Sequence, residues 1–558
     1  MAYGKRNNFS LSHYKLLTGD MGKLIPIGLQ EVLPGDEFRH FTEGMIRLSP
    51  LVKPIMHPLH VRIHHFFVPN RLLWARWDDF IRGADNQELP STVEDRWKTG
   101  YLLDFPTVSI SQVNSGDLAD YLGIPVWNYL NGHGVHRQKE IRVNALPFRA
   151  YAKIWNDFFR NEYLEEPLNY DFNGGNDRHV ETATLANDSW MKDYFTGCTT
   201  EDQNFGVIIP LQGRGDVYGN GNDMQVATHY PINDSNPSGI LALDENGKVE
   251  FKKTKDSGTE WSGDPSDGDI IRLLSKGDSI EPNIFGAPHA RLDTSPGNIT
   301  AGDINELRTL FSLQKFGEAR RRYGTRIVEY LRYAFGVKVN PGRNDKAEYL
   351  GGSKDTIQFS EVLQTGPGQG TANENNTVGA LKGHGIGTMR SKRYRRFFPE
   401  HGYVMSLMSI RPIPVYHQGL DKHWLKNSMT DYYQKELAHI GQQPVHDTEI
   451  YADIPPFVNG EEVNHMKLGA FGFRDVYDDY RSCRSRAHAE FGHSGTRQGW
   501  HMARTFVRPP VLNSSFLRSA PTDRIFADKT APEFTAMVMH SIKARRCVSK
   551  TGRPGGLI

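Results

Sequence analysis

The sequence predicts a mainly β, loop-rich protein, on three observations. Two runs bounded by prolines are built from β-branched and aromatic residues. Glycine (54) and proline (31) are abundant while hydrophobic residues reach only 38%. Helical periodicity is confined to a few short stretches. At 558 residues the chain exceeds one ordinary hydrophobic core, so two or three domains, or one domain with large insertions, are expected.

The first clear strand is residues 60–69, where Val61, Ile63, His65 and Phe67 fall on one face at period two between Pro58 and Pro69. Next comes a helix over 145–164. It places Tyr151, Ile154, Trp155, Phe158 and Phe159 at helical spacing, with Asn144 able to cap and Pro147 in the tolerant first turn. Residues 213–302 are rich in Gly, Asp, Asn, Ser and Thr, and pieces such as Val249-Glu250-Phe251-Lys252 alternate like small hairpins. A structureless segment of that length is unusual, so a small subdomain of short strands is expected there. A second helix should open on the Asp303/Glu306 capping box and break near Gly324, with further helical turns over 327–335. Residues 366–387 read as a glycine-rich loop. The second clear strand is 401–410, apolar on both faces and stopped by Pro412 and Pro414.

Charge and cysteine content narrow the function. With 66 basic and 65 acidic residues the chain is no polycation, and nucleic-acid binding has to come from local patches. Cys198, Cys483 and Cys547 form no CxxC pair, which points to reduced thiols rather than a disulfide or zinc framework. No run of eighteen apolar residues occurs and no apolar stretch follows the N-terminus, so neither membrane insertion nor export is expected. His57, His60, His64 and His65 cannot converge as ligands on one strand and read as packing or inter-subunit histidines. Gly383-His384-Gly385-Ile386-Gly387 lacks the Lys-Ser/Thr of a phosphate loop and reads as a loop. There is no nucleophile motif and no placeable carboxylate pair, so no catalytic residue, metal or cofactor is assigned.

Several ordered blocks carry a resemblance. They include Thr18-Gly19-Asp20-Met21-Gly22-Lys23-Leu24-Ile25-Pro26, Pro50-Leu51-Val52-Lys53-Pro54, Leu146-Pro147-Phe148-Arg149-Ala150-Tyr151, Lys192-Asp193-Tyr194-Phe195, Glu348-Tyr349-Leu350-Gly351-Gly352 and Glu400-His401-Gly402-Tyr403. In order and spacing the chain resembles the major capsid protein of microviruses, small single-stranded-DNA phages, on the gokushovirus side. The resemblance implies a single eight-stranded antiparallel jelly roll with long loops. It also implies sixty copies in a T = 1 shell around circular single-stranded DNA, made in the host bacterial cytoplasm. An internal scaffolding protein, a minor (pilot) protein and a host surface receptor would be partners. Residues 1–212 and 303–558 would form the shell domain and 213–302 a projecting insertion used in host attachment.

Basic clusters are the candidate DNA contacts. The C-terminal tail carries Lys543, Arg545, Arg546, Lys550 and Arg553 with no acidic residue after Glu533, and it reads as flexible and uncompensated. Arg390, Lys392, Arg393, Arg395 and Arg396 surround Tyr394, a pattern suited to phosphates with a stacking ring, or equally to subunit pairing. Lys5 and Arg6 add to this, whereas Arg320–Arg322 read as interface arginines. The competing class is an exported β-rich carbohydrate-binding protein, which the aromatics and Gly/Asn-rich loops would suit; a jelly-roll enzyme is a third.

Overall fold

In the computed structural model the described residues are 6–82, 105–128, 141–200, 345–363, 381–438, 441–452, 469–493 and 495–550, with the backbone of short strands at 226–228, 238–243, 249–254, 260–262, 457–458 and 461–462. The chain divides into two compact units, one of residues 1–206 with 323–558 and the other of residues 207–322.

The first unit is built on a ten-stranded antiparallel sheet. Its strands are β1 (Asn7–Ser10), β2 (His13–Gly19), β3 (Ile25–Val32), β4 (Glu37–Leu48), β5 (Leu59–Pro69), β6 (Glu348–Leu363), β7 (Leu381–Arg390), β8 (Tyr394–Phe397), β9 (Gly402–Pro412) and β10 (Phe534–Arg546). The order is β1-β10-β4-β7-β6-β5-β9-β3, with β2 beside β10 and β8 beside β4. The mainly β, antiparallel expectation holds, with ten strands where eight were expected.

Strand β6 turns the sheet on itself. Its Glu348–Ile357 stretch pairs with β5 and its Gln358–Leu363 stretch with β7, so one strand serves two sections. The sections then face each other. Rings of His40 on β4 and His65 on β5 lie 4.7 Å apart, and Phe38 of β4 and Phe67 of β5 both pack on Phe398, at 5.3 and 4.7 Å. His540 on β10 donates through Nε2 to the Ile27 carbonyl of β3 at 3.0 Å. The layers come so close there that a Cβ on Gly28 would lie 2.8 Å from the His540 ring.

The 60–69 strand expectation is met by β5, with Leu59, Val61, Ile63, His65 and Phe67 buried. Strand β9 is buried at every position. One face lies inside the sandwich, and Tyr403, Met405 and Leu407 on the other pack in a second cluster with Leu146, Tyr151 and Ile154. That second cluster belongs to helix α1 (Leu146–Phe158), where Asn144 Oδ1 accepts the Leu146 N–H at 2.8 Å as the cap expectation required. The helix stops short of the expected 164. The Glu165 carboxylate takes the Asn161 N–H at 3.0 Å and closes a turn there, leaving Phe158 exposed.

One expectation is overturned. Gly383 to Gly387 form no loop but the middle of β7. Gly383, Gly385 and Gly387 alternate onto its buried face, where added Cβ atoms would meet the Pro54 Cα at 2.7 Å, Leu48 Cδ1 at 2.7 Å and Ile357 Cγ1 at 3.1 Å. These glycines permit close backbone approach rather than turning the chain.

The second unit carries a four-stranded antiparallel sheet of Val226–Thr228, Ser238–Leu243, Val249–Thr254 and Glu260–Ser262, so the piece beginning at Val249 is one arm of a hairpin. The expected helix at 303, the turns at 327–335, Arg320–Arg322 and residues 366–380 of the glycine-rich stretch lie outside the described residues.

Candidate nucleic-acid interface

Three basic segments far apart in sequence meet on the outer face of one sheet layer. In β4 the odd positions Glu37, Arg39, Phe41, Glu43, Met45 and Arg47 point away from the core, while Phe38, His40, Thr42, Ile46 and Leu48 are buried. Strand β8 pairs on one side of β4, with Arg395 opposite Arg39 and Phe397 opposite Glu37. Strand β10 pairs on the other side, with Lys543 opposite Arg39 and Arg545 opposite Glu37, and β1 adds Ser10 and Asn8 beyond them. Arg395, Arg39 and Lys543 therefore form a row across three adjacent strands. Same-face neighbours across antiparallel strands lie about 5 Å apart at Cβ, a repulsive arrangement for like charges unless an anion sits over them.

The row floors a groove of about 600 Å³, lined by Arg6, Asn8, Ser10, Glu37, Arg39, Arg395, Lys543 and Arg545. Glu37 is its countercharge. Arg395 hydrogen-bonds it and holds its carboxyl below the ordinary carboxylate range, so it stays ionised. Arg390, 3.9 Å from Glu43, extends the positive face together with Arg393, and both guanidiniums lie over the Phe41 ring at 5.3 and 4.8 Å. Arg6 lies 5.0 Å over the exposed Phe397 ring. Lys392 is exposed at the turn into β8. Among the described residues Arg39, Lys543, Arg545, Lys392 and Arg393 form no ion pair.

The other sequence candidates are distributed differently. Tyr394 and Arg396 alternate inward from Arg395. The Tyr394 hydroxyl bonds His40 Nδ1 at 2.9 Å, and burial pushes its phenol well above the usual tyrosine range. Arg396 pairs with Glu348 at 2.7 Å. Arg546 pairs with the buried Asp36 at 2.8 Å and donates to the Glu31 carbonyl at 2.5 Å. The tail expected to be flexible is thus sheet through Arg546, because its alternating apolar residues Phe534, Ala536, Val538, Ile542 and Ala544 fill the sandwich. Lys550 is exposed beyond the strand. Lys5 and Arg553 lie outside the described residues.

Sequence reasoning missed Arg39 and Phe41. The available signal was the period-two alternation of 37–48, which marks both as outward residues of a strand.

Of the four histidines expected to be packing or inter-subunit residues, His57 and His65 are buried while His60 and His64 are half-buried. His57 Nε2 donates to the Ile413 carbonyl at 2.8 Å. His65 Nδ1 bonds Ser406 Oγ at 2.8 Å, and His40 and His540 share Thr42 Oγ1 at 3.2 and 2.9 Å. Burial drives the pKa of His40 to about 2, His65 to about 3 and His540 to about 4.

A two-layered antiparallel β-protein with a basic outer sheet face, tied together by strands from both ends of the chain, has the makeup of a structural coat subunit. The chain belongs to the family described as Capsid protein (F protein), which it matches over residues 2–556. Capsid protein VP1 of Chlamydia phage 1 is 30% identical, covering 95% of this chain and 92% of that relative. The VP1 proteins of Bdellovibrio phage phiMH2K and Spiroplasma virus 4 are 27% and 26% identical, covering 96% and 99% of this chain and 91% and 95% of their own lengths. The chain is accordingly a phage capsid protein of microvirus type with a structural, non-enzymatic role, and it acts in the virion.

Proposed function

We propose that sixty copies of this chain close a T = 1 icosahedral shell around a circular single-stranded DNA genome, with the outer sheet face of β8, β4, β10 and β1 turned toward the DNA. The row Arg395–Arg39–Lys543 carries this reading: three cations side by side, answered among the described residues by Glu37 alone, call for an external polyanion. Phe41 and Phe397 beside the arginines suit unpaired bases, whose faces are free to stack. Removing one phosphate-binding cation should flatten the dependence of log affinity on log salt by about 0.7 for a single strand. In the double variant Arg39→Ala/Lys543→Ala, shells should still assemble but contain less DNA, and the salt slope of single-strand binding should fall by about 1.4. Wild-type DNA content with an unchanged slope would refute the assignment.

By the same resemblance the subunit works with an internal scaffolding protein and a minor (pilot) protein, and assembles in the host bacterial cytoplasm. Residues 213–302 serve as a projecting attachment element that meets a host surface receptor, which their polar, Gly/Asn-rich character suits. Deleting that insertion should preserve particle formation and abolish adsorption to host cells; particles that adsorb as well as before would count against it.

A further inference from the structure

The basic groove is one end of a longer track on the same sheet face. Past Arg39 the outward residues of β4 are Phe41, Glu43, Met45 and Arg47, and running back from Lys543 those of β10 are Ser541, Met539, Met537 and Thr535. Beside β10, strand β2 turns Tyr14, Leu16 and Thr18 to the same side, with Tyr14 opposite Met539 and Leu16 opposite Met537. Tyr14 and Leu16 are 71% and 69% exposed, and Met537 and Met539 are 44% and 42% exposed. At the far end opens a second cavity of about 670 Å³, whose lining includes Leu16, Thr18, Met45, Arg47, Tyr121 and Met537.

Unanswered positive charge stands at the two ends of this track and not along its middle. Arg39 and Arg47 are eight residues apart on one strand, about 27 Å at the rise of an antiparallel strand. Among the described residues Arg47, like Arg39, forms no ion pair. Lys15 and Asp120, in the wall of the second cavity, are engaged locally: Lys15 Nζ donates to the Pro26 and Tyr121 carbonyls at 3.1 and 2.5 Å, and Asp120 accepts the Gly116 N–H at 3.1 Å. Glu43, the one acid on the middle stretch of β4, lies 3.9 Å from Arg390. Between the cationic ends stand Phe41, Met45, Met537, Met539, Tyr14 and Leu16.

A ligand that answers both ends must cross this apolar floor. A bare polyanion would lay charge over it, and a duplex keeps its bases paired inside. A single strand carries phosphates at intervals with unpaired bases between them. Its backbone can meet the cations while its bases cover the methionines and Tyr14. Thioethers pack well against aromatic faces, and their flexible chains adapt to bases of different shape. The span has room for about four nucleotides, the lower end of single-strand grooves.

We propose that Tyr14, Leu16, Met45, Met537 and Met539 form a base-binding platform that makes this sheet face select single-stranded over duplex nucleic acid. The proposal rests on the DNA-facing reading of the basic row and adds how an unpaired strand is told from a paired one. The test measures binding of full-length subunits to oligothymidylate, to a DNA duplex of the same length and to inorganic polyphosphate. The unchanged chain should prefer oligothymidylate to duplex by about tenfold or more. Leu16→Ser/Met537→Ser should lose about tenfold in oligothymidylate affinity. Its polyphosphate affinity and salt slope should stay the same, because no phosphate contact is removed. Tyr14→Ser alone should weaken oligothymidylate in the same selective way. Equal affinity for strand and duplex, or undiminished oligothymidylate binding in the double variant, would overturn the platform. So would an equal loss for polyphosphate, which marks a damaged groove, or normal DNA content in fewer particles, which marks a protein contact. In all these outcomes the basic row keeps its role. If Arg39→Ala/Lys543→Ala weakened none of the three probes, the DNA-facing reading itself would fall.

Discussion

Acidification should unfold this subunit through three buried imidazoles. His40, His65 and His540 are each about 1% exposed or less and sit where the two sheet layers meet. The charged or titratable groups around them are one another, His13, whose ring stacks 5.0 Å from His540, His64, Lys15 and Tyr394, whose hydroxyl bonds His40; among the described residues none is a carboxylate. Their folded-state pKa values, about 2, 3 and 4, lie below the unfolded value of 6.5. For a base with a depressed folded pKa, the unfolded state binds the proton first. The stability contribution is therefore whole above pH 6.5 and drains as pH falls toward the folded values. At pH 5 each histidine is about 1.5 pH units below its unfolded pKa and still neutral when folded, so each costs about 2 kcal/mol and the three together about 6 kcal/mol. That is a large share of the roughly 5–15 kcal/mol of a typical domain. Urea unfolding of purified subunits at pH 7.5 and 5.0, followed by tryptophan fluorescence, measures it. In His540→Gln the drop between the two pH values should shrink by about 2 kcal/mol even though stability at pH 7.5 also falls. An identical pH-dependent drop in wild type and variant would refute the reasoning.

Two further outcomes follow from packing. Gly383→Ala should destabilise by about 1–3 kcal/mol, read as a lower melting temperature, because its Cβ meets backbone at Pro54 Cα (2.7 Å) and Lys53 O (2.9 Å), which cannot swing away as a side chain could. Arg149→Ala should cost about 3–5 kcal/mol in a urea titration: Arg149 and Asp177 pair at 2.9 Å with both side chains fully buried, and the change leaves Asp177 charged and unpaired.

Strands whose apolar pattern was strong could be read directly. Residues 60–69 alternate, 401–410 carry apolar residues on both faces, and both lie in the core as β5 and β9, while Asn144 caps α1 from its own sequence position. Strand β7 escaped because its buried face is made of glycine, which carries no apolar signal; only the closeness of Pro54, Leu48 and Ile357 explains those residues. The cluster 390–396 was visible as charge but not as geometry. One residue of offset sends Arg395 to the groove and Tyr394 to His40.

The sequence by itself determined the class of protein: ordered blocks, loop-rich composition and local charge clusters identify a β-rich capsid subunit. Which charges lie side by side was decided only by the tertiary structure. Arg39, Arg395 and Lys543 are far apart in sequence and become neighbours because β8 and β10 pair on either side of β4. A basic tail that looked free is a strand through Arg546, since its alternating apolar side chains complete the sandwich and fix Lys543 and Arg545 on the other face. Strand pairing is long-range and its side-chain period is two, so the partner and the register, neither of which is written locally, decide what each residue meets.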